Sequence, residues 1–162
     1  MSFRLDRLLD PIGRTLLRVL QENARVSWRE LGETVSLSAP AVAERVHKME
    51  EAGIIGGYHA RVDPARAGLP VTAFILLKTM AQRYPALTGF VERAPEVSEC
   101  HHVSGEHSFL IKVHVSGLPH LESLIERFRP FGETHSLVVL SSPVVKHGLD
   151  LEGLVDGGVM EG

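Results

Sequence analysis

The residues best suited to chemistry in this sequence are a cysteine and a group of histidines in its second half. Cys100, His101 and His102 are consecutive, and His107 and His114 follow within the next twelve positions. Thiolate and imidazole groups are the ligands that zinc prefers. In a strand, however, Cys100 and His102 face opposite to His101, which favours ordinary core and interface histidines. We predict no bound metal and no cofactor. A metal-responsive sensor that uses His101, His102, His107 or His114 is the alternative.

Motifs of the common enzyme classes are missing from the sequence. It contains no P-loop, no G-x-G-x-x-G fingerprint after a strand and no G-x-S-x-G nucleophile elbow. We therefore expect a protein that binds rather than catalyses. A single cysteine forms no internal disulfide, and no apolar run approaches the roughly 20 residues that cross a bilayer. These features predict a cytoplasmic protein without a membrane partner.

The first third of the chain shows the patterns of three short helices. Asp10 is a typical N-cap for the first helix, and Ser27 with Glu30 forms the capping box of the second. Ser38 is the N-cap candidate of the third helix, which stops at Gly53. Only a tight turn fits between the second and third helices. Two helices joined in this way after a leading helix are typical of a helix-turn-helix unit.

The third predicted helix carries residue types that suit double-stranded DNA. The hydroxyl of Ser38 can donate to a phosphate, and the small side chains of Ala39 and Ala41 allow the helix deep into the major groove. Arg45 and Lys48 are long enough to reach base edges or the backbone. The alternative is a solvated helix face of mixed charge. The residues predicted to contact DNA are Ser27, Arg29, Ser38, Ala39, Ala41, Val42, Arg45, His47 and Lys48.

The charge of the chain supports a DNA partner only in part. Its 17 Lys and Arg residues against 20 Asp and Glu give a formal net charge of −3. Residues 1–63 contain nine basic and nine acidic residues, so the excess negative charge lies entirely in the remainder. A near-neutral DNA reader neutralises few phosphates, so we expect tight binding to require several subunits on one DNA.

The pattern of the remaining two thirds is that of alternating strands and helices. A short strand at residues 58–62 precedes a break in the pattern. The elements predicted next are strand 70–80, helix 84–94, strand 97–104, strand 107–115, helix 118–129 and strand 134–145. This βαββαβ order is ferredoxin-like. We therefore predict an α+β protein with an N-terminal helix-turn-helix domain and a C-terminal ferredoxin-like domain.

The predicted sheet is too apolar to be covered on one face only. In its first strand Ala73 and Ile75 point to one face, and Phe74 and Leu76 point to the other. We expect a second copy of the sheet to cover the face without helices, giving a homodimer.

The middle hairpin predicts which residues lie on each face. A two-residue turn beginning at Gly105 pairs His102 with Phe109 on the helix-covered face. The same register places Val97 and His101 on the opposite face, the predicted subunit interface.

Two sets of motifs, one in each half of the chain, are those of a known family. The first set is Leu9-Asp10-x-Ile12, Leu16-Leu17, Leu20-Gln21, Ala24-Arg25-Val26-Ser27, Glu30-Leu31, Leu37-Ser38, Arg45-Val46 and Glu50-x-x-Gly53-Ile54-Ile55-x-Gly57-Tyr58. The second set is Pro95-Glu96-Val97-x-Glu99-Cys100, Val103-x-Gly105-Glu106, Phe109-Leu110-x-Lys112-Val113 and Thr134-x-Ser136. In their order and spacing, over residues 9 to about 147, they resemble the leucine-responsive/asparagine-type (Lrp/AsnC) bacterial and archaeal transcription regulators.

This resemblance implies a sequence-specific transcriptional regulator whose DNA binding or oligomeric state responds to an amino acid or similar small effector. It implies an N-terminal helix-turn-helix domain that is winged-helix-like or plain. It also implies homodimers through the C-terminal sheets, assembly into tetramers or octamers, and effector binding between dimers. It places recognition-helix contacts on Ser38, Arg45, His47 and Lys48. The effector cleft that it implies falls on Ser104, Gly105, Glu106, His107, Ser108, Thr134, His135 and Ser136.

Three positions depart from the pattern of the family. Ser108 stands where an aspartate is often seen, which argues against assuming leucine as the effector. Gly13 replaces a frequent aspartate. Glu44 stands where a basic residue is common, so it weakens phosphate contact or reads a cytosine amino group instead.

The expected organisation has four parts. They are a helix-turn-helix DNA-binding domain in residues 1–57, a linker strand and hinge in 58–69, an effector-binding and oligomerisation domain in 70–147 and a flexible tail in 148–162. Two further alternatives share this architecture. One is a sirohaem decarboxylase-like enzyme, and the other is a partner subunit that has lost DNA binding.

Overall fold

The computed structural model describes residues 7–146 and 148–151 of the chain. These residues belong to two compact units. The helical unit contains the described residues up to Ala60 and those from Val144 onward, and the sheet unit runs from Arg61 to Pro143. No helix within the described ranges is long and apolar enough to span a membrane.

The three helices that the sequence predicts lie, with both ends among the described residues, in the helical unit. They are α1 (Pro11–Glu22), α2 (Trp28–Val35) and α3 (Ala39–Glu51). The carboxylate of Asp10 accepts a hydrogen bond from the Gly13 amide at 2.8 Å, and the capping box of Ser27 and Glu30 is complete. These caps satisfy amides that a helix leaves unpaired at its N-terminus. The helices share a buried apolar core of Leu16, Leu20, Leu31, Val42 and Val46.

The turn between α2 and α3 is as tight as predicted. Ser36 ends α2 in the left-handed region, with φ 56° and ψ 41°. The backbone of the turn passes so close to α2 that a Cβ atom on Gly32 would lie 2.5 Å from the carbonyl oxygen of Leu37. Only glycine allows this approach, so Gly32 fixes how α3 leaves α2.

Four antiparallel strands and two helices form the sheet unit. In chain order they are β1 (Val71–Lys78), α4 (Tyr84–Val91), β2 (Val97–His102), β3 (Phe109–Val115), α5 (Leu118–Phe128) and β4 (Glu133–Val138). A short 3-10 turn, Ala81–Arg83, precedes α4. The strand order in the sheet is β2-β3-β1-β4. The predicted α+β fold class, with its βαββαβ order, is confirmed.

The two faces of the sheet differ in how they are covered. The helices pack on one face, where Ala73, Ile75, Leu77, Ile111 and Val113 are wholly buried. The other face, here called the open sheet face, carries Phe74, Leu76, Leu110 and Leu137, which neighbour one another through the strand register. Neither helix of the sheet unit packs on it. Leu137 is 47% exposed, so the second apolar face predicted from the sequence is present.

Two strand predictions are wrong in extent. Residues 58–62 form no strand, and no described strand lies beside them to supply a ladder. β4 ends at Val138 rather than near residue 145, because its partner β1 extends only two residues past the pair of Ala73 and Val138. The last bond of this ladder runs from the Val139 amide to the Thr72 carbonyl at 2.9 Å.

A bulge in β2 moves Val97 to the face opposite to the one predicted. The register shifts between Val97 and Glu99, so that Val97 pairs with Val113 and packs against the helix-covered core. From Glu99 onward the hairpin follows the predicted register, with His102 opposite Phe109.

Candidate DNA-reading helix and effector loop

The side chains of α3 divide into a buried and an exposed set. Val42, Val46 and Met49 are wholly buried. The side chain of Val42 therefore supports the helix from below and does not reach DNA, which corrects its place among the predicted contacts. Ala39 is half-buried. The exposed predicted contacts of α3 and its cap are Ser38, Ala41, His47 and Lys48, with Glu44 beside them.

Arg45 is held inside the helical unit. Its guanidinium forms an ion pair with the carboxylate of Asp10 and donates a hydrogen bond to the carbonyl of Arg7 at 3.1 Å. Only 24% of its side chain is exposed. Burial opposes ionisation of Asp10, yet the Gly13 amide and the Arg45 guanidinium lower the pKa of this carboxyl below its usual value. Arg45 thus joins α3 to the N-terminus of α1.

The other basic side chains of α3 also have carboxylate partners. Lys48 Nζ lies 2.6 Å from Glu44 Oε1, and hydrogen bonding and charge from Lys48 lower the pKa of Glu44. The ring of His47 lies 3.4 Å from Glu50 and 3.3 Å from Glu51. Exposed pairs of this type are weak, so a phosphate can replace the carboxylate.

Glu50 also holds Tyr58, which follows α3 in the chain. Tyr58 Oη donates to Glu50 Oε1 at 2.8 Å. Burial, together with the hydrogen bond and the negative charge of Glu50, raises the pKa of Tyr58 to about 12. The phenol therefore stays a neutral donor at physiological pH and holds the segment at residue 58 against α3.

The two predicted contacts on α2 have different roles. The hydroxyl of Ser27 is engaged in the capping box, where Glu30 Oε2 accepts from it at 2.7 Å. Arg29 is strongly exposed and pairs with Glu33 at 3.0 Å. Arg29 is the one of the two whose side chain is accessible to a phosphate.

The loop of residues 104–108 lies beside the end of β1. The Ser108 amide donates to the Leu77 carbonyl at 2.9 Å, and Ser108 Oγ donates to the Thr79 carbonyl at 3.1 Å. Lys78 lies 3.5 Å from Glu106. Gly105 turns the loop with a φ of 115°. Ser108, which replaces the frequent aspartate, is therefore used to attach the loop to β1.

The predicted effector residues of β4 meet the same end of β1 but divide between faces. Thr134 is opposite Leu77 and Ser136 opposite Ile75, so both share the helix-covered face. His135 is opposite Leu76 and lies on the open sheet face. Within one sheet unit the predicted effector residues thus surround the end of β1 without forming one continuous surface.

The histidines that suggest metal binding are dispersed. His102 stacks in a ring cluster with Tyr84 and Phe109, at centroid distances of 5.1 and 5.0 Å. His114 shares a hydrogen bond with Thr72 at 3.0 Å on the open sheet face. Burial and the charge of Lys112 lower the pKa of His114. Among the described residues, no three His, Cys, Asp or Glu side chains are grouped to hold a metal ion.

A buried carboxylate that the sequence reasoning did not identify joins β2 to α5. Glu96 Oε1 accepts from Arg127 at 2.7 Å and lies 3.3 Å from His120 Nε2. Although burial opposes ionisation, its own backbone amide, Arg127 and His120 lower the pKa of Glu96. His120 Nδ1 accepts in turn from the Ser116 amide at 3.3 Å. The Pro95-Glu96-Val97 motif was the available signal.

Comparisons with known proteins cover both units. The model of the AsnC-type helix-turn-helix domain matches residues 9–50, and that of the Lrp/AsnC ligand binding domain matches residues 72–149. HTH-type transcriptional regulator LrpB of Bacillus subtilis is 34% identical over 139 residues, which are 86% of this chain and 93% of LrpB. Regulatory protein AsnC of Escherichia coli is 33% identical over 144 residues, 86% of this chain and 95% of AsnC.

A solved relative shows the same architecture with a ligand present. It is the feast or famine regulatory protein of Mycobacterium tuberculosis complexed with L-methionine, with a TM-score of 0.78 and 31% sequence identity. The match covers 87% of this chain and 98% of that one.

Proposed function

The chain belongs to the Lrp/AsnC family of DNA-binding transcriptional regulators, and we propose that it reads DNA through the exposed face of α3 and responds to an amino acid bound at the sheet unit. Its relatives are transcriptional regulators rather than enzymes. They support the prediction of a non-enzymatic protein over the sirohaem decarboxylase-like alternative. Its DNA partner supports a cytoplasmic location.

The exposed face of α3 is the observation that carries the DNA-reading proposal. The helix begins with the hydroxyl of Ser38 and the small side chain of Ala41, which suit close approach to phosphates and thymine methyl groups. Lys48 is available for a phosphate after leaving its weak pair with Glu44. Glu44 then accepts from a cytosine amino group, the base contact that a carboxylate makes in the major groove. Arg45 acts as a positioning residue that sets the angle of α3 on α1.

We assign one role to each of four segments of the chain. Residues 1–57 read DNA, 58–69 link the domains, 70–147 bind the effector and form oligomers, and 148–162 are a tail. The family matches at residues 9–50 and 72–149 support the two main segments.

The open sheet face supports a homodimer. It exposes a contiguous group of apolar side chains that no helix of the sheet unit covers, and a second copy presents a surface that is complementary by symmetry. Because a lone dimer presents two DNA-binding domains that are each near-neutral, tight DNA binding is proposed to require tetramers or octamers.

The effector proposal draws on a relative that is complexed with L-methionine. The loop at residues 104–108 and the start of β4 are the proposed contacts. Thermal-shift measurements against the twenty amino acids test it, because a ligand at 100 times its Kd stabilises the folded state by about 2.7 kcal/mol. We expect at least one amino acid to raise the Tm. If all twenty leave the Tm unchanged at millimolar concentration, an amino-acid effector is wrong.

A further inference from the structure

The last described residues of the chain lie against α1. The side-chain amide of Gln21 donates to the Leu149 carbonyl at 3.2 Å, and the Gln21 side-chain oxygen accepts from the Leu149 amide at 2.7 Å. One side chain thereby satisfies both backbone groups of one residue, as a neighbouring strand does in an antiparallel ladder. The two residues are 128 positions apart, so the contact is tertiary rather than a local turn.

The receiving surface is one face of α1. Arg14, Arg18 and Gln21 are spaced by four and three residues, so they align along the helix. Together with Gly148, Leu149 and Asp150 they line a shallow groove. The lining also includes Glu22 on the helix side and Lys146 on the segment side, so both sides carry both charges and the contact rests on the Gln21 hydrogen bonds.

Gly148 makes the close approach possible. A Cβ atom at this position would lie 3.1 Å from Oε1 and 3.2 Å from Cδ of Gln21. Such distances require the glutamine to move, and its two hydrogen bonds to Leu149 depend on its position. Any larger side chain at residue 148 therefore disturbs the contact.

We propose that residues 148–151 form a strap that docks on the face of α1 formed by Arg14, Arg18 and Gln21 in the same chain. The chain passes from the helical to the sheet unit after Ala60 and returns after Pro143. The strap attaches the segment that returns from the sheet unit to α1. β4 ends at Val138 and the helical unit resumes at Val144, so this second passage is the shorter covalent route from β4 to the helical unit.

A regulatory consequence follows and rests on the proposed function. An effector that alters the start of β4 acts on α1 through this route, and α1 is fixed to α3 by the pair of Asp10 and Arg45. The docking itself does not depend on DNA or effector binding.

Amide hydrogen exchange of the full chain, followed by NMR, tests the docking. We expect the Leu149 amide to exchange about tenfold more slowly than in the Gln21→Ala variant, which removes its acceptor. Gln82→Ala is the matched control, because Gln82 is an exposed glutamine in the sheet unit. Equal exchange of Leu149 in the wild type and in Gln21→Ala overturns the proposal.

A second pair of variants separates docking from folding. Gly148→Val is expected to remove the protection of Leu149 while the amides of α1 keep theirs, whereas Gly56→Val changes neither, because a Cβ at Gly56 meets nothing within 4 Å. Protection of Leu149 that persists in Gly148→Val contradicts the strap. Protection that disappears on dilution assigns the docking to another copy and contradicts the same-chain strap. A wild type that binds no DNA contradicts the proposed function alone, since the exchange measurement needs no DNA.

Discussion

The guanidinium of Arg45 in α3 is paired with the carboxylate of Asp10, the residue that caps α1. One carboxylate therefore caps the N-terminus of α1 and also holds α3 through an ion pair. Arg45 also donates to the Arg7 carbonyl. Since α3 is the proposed reader helix, we infer that this pair sets the orientation in which its exposed side chains meet DNA.

Replacing Arg45 tests this structural role. We expect Arg45→Ala to lower the free energy of unfolding by about 1 kcal/mol in urea denaturation, because a partly buried pair and a hydrogen bond are lost. Arg29→Ala is the control, since its pair with Glu33 is exposed and its effect should stay within about 0.5 kcal/mol. Unchanged stability of Arg45→Ala together with lost DNA binding would instead assign Arg45 to direct base contact.

Lys48 is the side chain of α3 expected to contact a phosphate. Lys48→Gln should weaken binding to all DNA sequences alike and reduce the salt slope of the association constant by about 0.9 per subunit, as the loss of one phosphate contact requires. Fluorescence anisotropy at several salt concentrations measures both effects. Arg129→Gln is the control and should leave the slope unchanged, because Arg129 is an exposed residue directly after α5 that pairs with Glu126. An unchanged slope for Lys48→Gln excludes the phosphate contact.

The open sheet face predicts where the homodimer forms. Leu137→Glu places a charge among its apolar side chains and should convert the protein into monomers at micromolar concentration, as measured by sedimentation velocity. Leu118→Glu is the matched control, because Leu118 is 61% exposed at the start of α5, away from this face. If the wild type sediments as a monomer, or if both variants behave alike, the interface is wrong.

Glu96 predicts an acid sensitivity of the sheet unit. The pKa of its carboxyl is lowered in the folded state, so its stabilising contribution is complete above the usual pKa of 4.5 and is lost as the pH falls through the lower, folded value. At pH 7, Glu96→Gln should cost about 2 kcal/mol, because a buried hydrogen bond to a charged partner is weakened. The difference from wild type should shrink below pH 4 in urea denaturation. Glu92→Gln, on an exposed residue, should change stability little at either pH, and a constant cost for Glu96→Gln would contradict this reading.

Local features of the fold were predictable, whereas features that depend on distant partners were not. The caps at Asp10 and Ser27 involve residues three positions apart, so the sequence contains all of their partners. The extent of β4 depends on where β1 begins, and the face of Val97 depends on a bulge that no alternation pattern reveals.

The same distinction applies to the candidate site. Exposed positions of α3 follow from helical periodicity, so the exposure of Ala41, His47 and Lys48 was predictable. Asp10 and Arg45 are 35 positions apart, so no local sequence pattern reveals the ion pair on which the proposed positioning role of Arg45 rests. The part of the predicted tail that is described, residues 148–151, contacts α1, and the remainder lies outside the described residues.

The central claim is that this protein recognises specific DNA sequences through α3. It is tested most directly by incubating the protein with fragments of its own genome at 0.15 M salt and sequencing the retained fragments, with Lys48→Gln in parallel; this concentration is about the physiological ionic strength. We expect enrichment of a shared motif whose half-sites repeat at about 10–10.5 base pairs or a multiple of it, and weaker retention by the variant. Retained fragments that match the input in sequence, for protein and variant alike, would contradict it and favour a partner subunit without DNA binding.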